Sequence, residues 1–162
     1  MALGDAPGNL VLHIYHDTSG MNSVHQRNIS ADRITPIKTE IIPVSTGDNF
    51  CADNKLEQIH FLKIDTEGHE IPVLLGFKEM FASQKIGIVQ FEYGGTWIDS
   101  KHYLHEAFDF FHNAGYQVAK VFPDHIRKLE NYGQSMECFR YANFVGLNRE
   151  SAELLRTQGV LR

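Results

Sequence analysis

The chain has 162 residues, 43% of them hydrophobic and 22% charged, with a formal net charge of −5. This is the size and composition of one globular domain that buries its core without disulfides or structural metals. The acidic balance and the lack of a Lys/Arg cluster argue against nucleic acid as a partner, since phosphate recognition needs a basic face.

Cys51 and Cys138 stand far apart and outside any C-x-x-C spacing, which reads as two free thiols in a reducing compartment. The opening MALGDAPGNL has neither the basic nor the apolar region of a secretory signal. No apolar run approaches the roughly 20 residues of a membrane helix. The expectation is a single domain over 1–162, cytoplasmic and without a membrane partner.

In chain order, Asn9 to Tyr15 alternates as a strand does. Residues 16–33 are polar and Ser/Asn/His-rich and read as a loop, and Ile34 to Val44 is extended again. Pro36 and Pro43 suit an edge strand there. Asp48 to Leu56 reads as a short helix.

Phe61 to Ile64 is a brief apolar run, predicted as a strand buried on both faces of a parallel sheet. Val73, Leu74, Phe77 and Phe81 then recur at helical spacing, with Pro72 tolerated in the first turn. Ile86 to Phe91 is a second buried strand. Tyr103, Leu104, Ala107, Phe108 and Phe111 mark a second helix that ends at Gly115. Tyr116 to Phe122 and Phe139 to Leu147 are two more strands, separated by a turn at Asn131-Tyr132-Gly133. Strand–helix–strand–helix–strand predicts a parallel α/β sheet, and a last strand reached without a helix should return antiparallel.

The densest chemistry is Asp65-Thr66-Glu67-Gly68-His69-Glu70, between the first of these strands and its helix. In open parallel sheets, ligands sit beyond the carboxyl ends of the strands. The next such end carries Glu92-Tyr93-Gly94-Gly95. Adjacent strands would bring Asp65, Glu67 and Glu92 into one crevice, where carboxylates act as general bases. Glu67 and Glu70 also have a plainer reading as acids at a helix N-terminus. For Asp65, at the end of a buried strand, that reading is weaker.

Asp65, Glu67 and His69 are also ligand types for zinc or manganese, so a metal-dependent hydrolase is an alternative. They lack the i, i+4 spacing of a helical metal motif, and no metal is expected. His102 and His105, with Glu106, read as a solvated helix face. No G-x-G-x-x-G, no phosphate-cradling loop and no G-x-S-x-G elbow is present.

FLKIDTEGHEIPVLLGF, residues 61–77, resembles the "LKIDxEGxExxVLxG" motif of the FkbM family of S-adenosylmethionine-dependent methyltransferases, through Leu62 to Asp65, Glu67, Gly68, Glu70, Val73, Leu74 and Gly76. Ala2-Leu3-Gly4-Asp5 followed by Gly8 is similar to that family's "ALGDxxG" turn, and Thr18 to Ser23 to its Ser/Gly loop. Val89 to Tyr93 is similar to its "FEY" strand, and Asn143-Phe144 to its last strand. Thr46-Gly47-Asp48 departs from the usual "TLD" at Gly47.

The resemblance implies a partial class I methyltransferase (Rossmann-like) α/β sheet with an antiparallel last strand. It implies S-adenosyl-L-methionine as cofactor and a small-molecule or saccharide hydroxyl as acceptor. It further implies that the glycine-rich cofactor loop belongs ahead of the Ala2–Asp5 turn. The chain is therefore expected to be the C-terminal portion of such a domain, either active or a non-catalytic remnant. Carried over residue by residue, Asp65, Glu67 and Glu92 are the catalytic candidates, with Asp65 favoured as base. Tyr93, Ser19, Ser23 and His69 are candidates for substrate binding, and Asp5 and Asp65 for the cofactor.

Overall fold

The computed structural model describes residues 1–15, 20–27 and 35–162. Two sheets organise it. Strands β1 (Ala2–Leu3), β2 (Gly8–Ile14) and β3 (Lys38–Ser45) form a small sheet in the order β1-β3-β2. Helix α1 (Gly47–Asp53) follows, capped by Thr46, whose Oγ1 accepts from the Asn49 N–H at 3.1 Å. Then come β4 (Ile59–Ile64), α2 (Glu70–Gly76), α3 (Lys78–Ala82) and β5 (Ile86–Tyr93). The chain continues through α4 (Thr96–Ser100), α5 (Leu104–Asn113), β6 (Gln117–Val121), β7 (Ile126–Lys128), β8 (Ala142–Leu147) and α6 (Arg149–Thr157).

The larger sheet runs β4-β5-β8-β6-β7. β4 and β5 are parallel, while β8 is antiparallel to both β5 and β6. The expected antiparallel last strand is therefore present, inserted between β5 and β6. The unpredicted β7 forms the hairpin with β6. This is a mixed α/β fold with parallel and antiparallel strands, consistent with a Rossmann-like methyltransferase sheet.

Two apolar layers cover the sheet. On one face Val89, Phe91 and Tyr93 pack with Leu74, Phe81, Leu104 and Phe111 from the helices. On the other, Val145, Leu147 and Ala119 pack with Ala152 of α6 and Leu161. Among the described residues no helix is long and apolar enough to cross a membrane.

Three sequence expectations change. β4 is not buried on both faces: it ends its sheet, and Phe61 is 54% exposed, leaving Ile64 as its buried residue. β3 is the middle strand of its sheet. Pro43 is tolerated because β1 pairs only with Val44 and Ser45, so the rest of that flank remains an edge. The long helix after Glu70 breaks at Phe77 into α2 and α3. Asp48 supports the break: its carboxylate accepts from the N–H groups of Glu79 and Met80 at 3.0 and 3.1 Å, satisfying donors that open α3.

Candidate functional site

The turn Asp65–Glu70 is shaped by its own last residue. Glu70, 1% exposed, accepts from Thr66 N–H at 2.8 Å, Thr66 Oγ1 at 2.9 Å and Gly68 N–H at 3.0 Å. Burial pushes its carboxyl pKa up, and these donors pull against that shift. Glu70 is thus committed to folding the turn. The bend it clasps is steep: Glu67 sits at φ 57° and Gly68 at φ 105°. A non-glycine residue in the left-handed region costs about 1–2 kcal/mol. A Cβ on Gly68 would also lie 2.7 Å from the Thr96 carbonyl oxygen, so glycine is required there.

This bend turns Glu67 back toward the strand ends. Lys63 and Gln90 are register partners across β4 and β5. Asp65 and Glu92 lie two residues further along on the same face, because side chains alternate along a strand. One carboxylate oxygen from each of Asp65, Glu67 and Glu92 falls within a 4.8 Å cluster. Two of the three acids have a cation. Lys63 Nζ donates to Asp65, and Arg27 donates to Glu67 Oε2 at 2.7 Å. Glu92 has no hydrogen-bonded cation among the described residues. Its pKa is raised, first by burial and then by the charges of Asp65, Glu67 and Glu70, with Lys63 opposing.

His69 does not join this cluster, so the metal set Asp65, Glu67 and His69 is not formed. It is 8% exposed, and its Nδ1 lies 3.2 Å from His25 Nε2. Burial, and then His25, press its pKa down to about 4. Its Nε2 is buried without a hydrogen-bond partner among the described residues. His69 lines a cavity of about 300 Å³ between β4 and the small sheet, walled by Leu3, Leu12, Ile42 and Leu62, with Ser23 and Thr66 among its polar lining. Asp5, exposed just after β1, is near enough for its charge to act on His69.

The remaining candidates separate. Ser23 is 1% exposed, and its Oγ donates to the Glu67 carbonyl at 2.8 Å while accepting from His25 N–H at 3.0 Å. It braces the turn and borders the cavity. Ser19 lies outside the described residues. Tyr93 projects from the face opposite Glu92, into the core. Its hydroxyl donates to Glu137 Oε2 and accepts from Phe139 N–H, both at 3.0 Å. It shares no crevice with Glu92, for the same pleat that joins Glu92 to Asp65. His102 is no free surface group, because its Nδ1 lies 2.9 Å from Glu106 Oε2.

Arg27 and His25 are site residues that sequence reading missed. Both fall in the segment read as loop, roughly 40 residues from their partners, where no spacing rule reaches. Trp97 was missed as well: its indole N–H donates to the Glu92 carbonyl at 3.0 Å and fixes the end of β5 beside the turn.

Residues 1–118 match the family model described as the methyltransferase FkbM domain. The match takes in the turn, Glu92 and the cavity and stops within β6, short of the Asn143-Phe144 likeness. No curated protein and no solved structure matches the chain.

Proposed function

We propose that this chain, which belongs to the FkbM methyltransferase domain family, methylates a hydroxyl of a saccharide or small metabolite using S-adenosyl-L-methionine. The observation that carries this reading is Glu92, a carboxylate with a raised pKa and, among the described residues, no hydrogen-bonded cation, gathered with Asp65 and Glu67 at the carboxyl ends of β4 and β5. The residues fit the cofactor in two respects. The cavity beside them is walled mostly by apolar side chains with a few polar groups among them, the usual character of a small-molecule site. The buried Nε2 of His69 has no hydrogen-bond partner among the described residues, and a bound molecule or water would supply one. Asp5, His69 and the cavity wall would hold the group.

Bound S-adenosyl-L-methionine supplies a methyl group already activated by its sulfonium. The chain's part is to align the acceptor oxygen and remove its proton. Glu92 takes that proton from the acceptor hydroxyl, since a raised pKa makes a stronger base and no ion pair must first be broken. Asp65, favoured on sequence grounds, is instead held by Lys63, and Glu67 by Arg27. Both then serve to orient the acceptor and to keep the Glu92 pKa up. Glu70 and Ser23 hold the turn in shape.

The test is S-adenosylhomocysteine release with a panel of saccharide and small-molecule hydroxyls, alongside calorimetry with S-adenosyl-L-methionine. Saturable cofactor binding and product formation that fails in Glu92→Gln support the reading. A well-folded chain that binds no cofactor sinks it.

A further inference from the structure

On the other side of β5 lies a second pocket, of about 210 Å³, reached by Lys120 of β6, Arg127 of β7 and Arg140 ahead of β8, with Tyr93 and Ser135 on its wall. Three cations meeting in one hollow repel one another, and proteins normally place an acid among them. Here each nearby acid is committed elsewhere. Asp124 lies 2.8 Å from His125 Nδ1, and Glu130 pairs with Lys128 at 2.8 Å. Glu137 accepts from the N–H groups of Leu104 and His105 at 3.1 and 3.0 Å, and from the hydroxyls of Tyr93 and Tyr132. These are all the carboxylates between Phe122 and Arg140. Among the described residues no hydrogen bond or ion pair neutralises Lys120, Arg127 or Arg140.

The cations are also supported from below. Lys120 Nζ lies 5.8 Å from the Phe122 ring centre and 5.7 Å from that of Phe144. The Arg127 guanidinium lies 4.8 Å from the Phe122 ring. Contact with a ring face holds a cation without consuming its hydrogen-bond donors. The guanidinium fork therefore remains available for two-point recognition of an oxyanion. A chain with net charge −5 has thus kept a local positive pocket that no acid among the described residues fills.

We propose that this pocket binds an oxyanion group — phosphate, sulfate or carboxylate — carried by a small molecule. Because β5 and β6 both run parallel while β8 returns between them, the pocket lies toward the same end of the sheet as the acid cluster. The site makes an anionic acceptor the preferred substrate class, a step that rests on the methyltransferase reading. The anion site itself does not.

Inorganic phosphate is the first probe, titrated into the full chain by calorimetry at ionic strength held constant with sodium chloride. Saturable binding is expected, weakened about tenfold or more in Arg127→Gln/Arg140→Gln, in line with the loss of charge-assisted hydrogen bonds. Both side chains are exposed, so the variant should keep its melting temperature, which is measured in parallel. Sulfate matching phosphate with acetate much weaker assigns a tetrahedral oxyanion. Acetate matching phosphate assigns a carboxylate. No saturable effect beyond that of chloride, or undiminished binding in the folded double variant, overturns the proposal. Glu92→Gln should leave phosphate binding unchanged while removing methyl transfer, so the two readings fail separately.

Discussion

Glu92 and Tyr93 are neighbours in sequence, yet they border surroundings of opposite charge. On the Glu92 face three carboxylates gather, and Lys63 and Arg27 compensate two of them. On the Tyr93 side three cations gather with no compensating acid among the described residues. The acid side is built from within: a clasped turn, a left-handed Glu67 and an obligatory glycine bring the charges together, so the chain bears the electrostatic and conformational cost itself. The cationic side also carries a left-handed residue, Phe139 at φ 52° beside Arg140, but it leaves its charge for something external. A group that is costly to assemble and internally supported suits proton transfer. Charge left open suits ligand capture. One strand separates the two roles because successive side chains point to opposite faces.

The sharpest way to break the contrast is Glu92→Gln. Removing a positioned base should lower methyl transfer by about 10²–10⁴-fold, read as product formation under saturating cofactor. A rate within a few-fold of the parent would return the role to Asp65. Next in size is Gly68→Ala, which places a Cβ against the Thr96 carbonyl at φ 105°. A loss of stability on the order of 1–3 kcal/mol is expected in urea unfolding, together with loss of activity as Glu67 and Asp65 move apart. Unchanged stability would show that the turn has another conformation available.

A third outcome depends on pH. The folded pKa of Glu92 lies above its ordinary value, so the native state holds that proton more tightly than the unfolded chain does. Its contribution to stability is present in acid and is lost as pH rises from the usual carboxylate value through the raised one. Glu92→Gln should therefore raise the melting temperature at neutral pH and leave it nearly unchanged near pH 3. An equal gain at both would remove electrostatics as the cause. The smallest effect belongs to Lys63→Gln. This pair is half exposed, at 52% and 41%, so solvent screens it and little stability is at stake. The informative reading is a rise in the apparent pKa of the pH–rate profile as a cation leaves the cluster.

Much of this was legible in the sequence where the signal was local. Strand–turn–helix around Asp65, the buried strand into Glu92 and the helix capped at Gly115 all follow from spacing and turn chemistry, and the adjacency of Asp65 to Glu92 follows from two parallel neighbours. What was illegible depends on distant pairing. That β8 slips between β5 and β6 leaves no mark in the chain, since an antiparallel return reads alike in either place. Phe61 reads as a core residue until the sheet is seen to end at β4. Pro43 reads as an edge residue, although its strand is central over only two residues. His69 stood out for its chemistry in the sequence, yet in the fold its partner is His25, which no motif joins to it. The cationic pocket was the least visible, because Lys120, Arg127 and Arg140 never cluster along the chain.

Trp97 is the chain's sole tryptophan. It is 1% exposed, its indole N–H rests on the Glu92 carbonyl at 3.0 Å, and its ring lies 5.2 Å from that of Tyr93. One chromophore thus touches the backbone at the point where the two charged regions diverge. Its emission is a built-in optical gauge of that junction. Excited at a wavelength tyrosine does not absorb, the unlabelled protein should report a ligand on either side of β5 by a change in intensity, with no added probe.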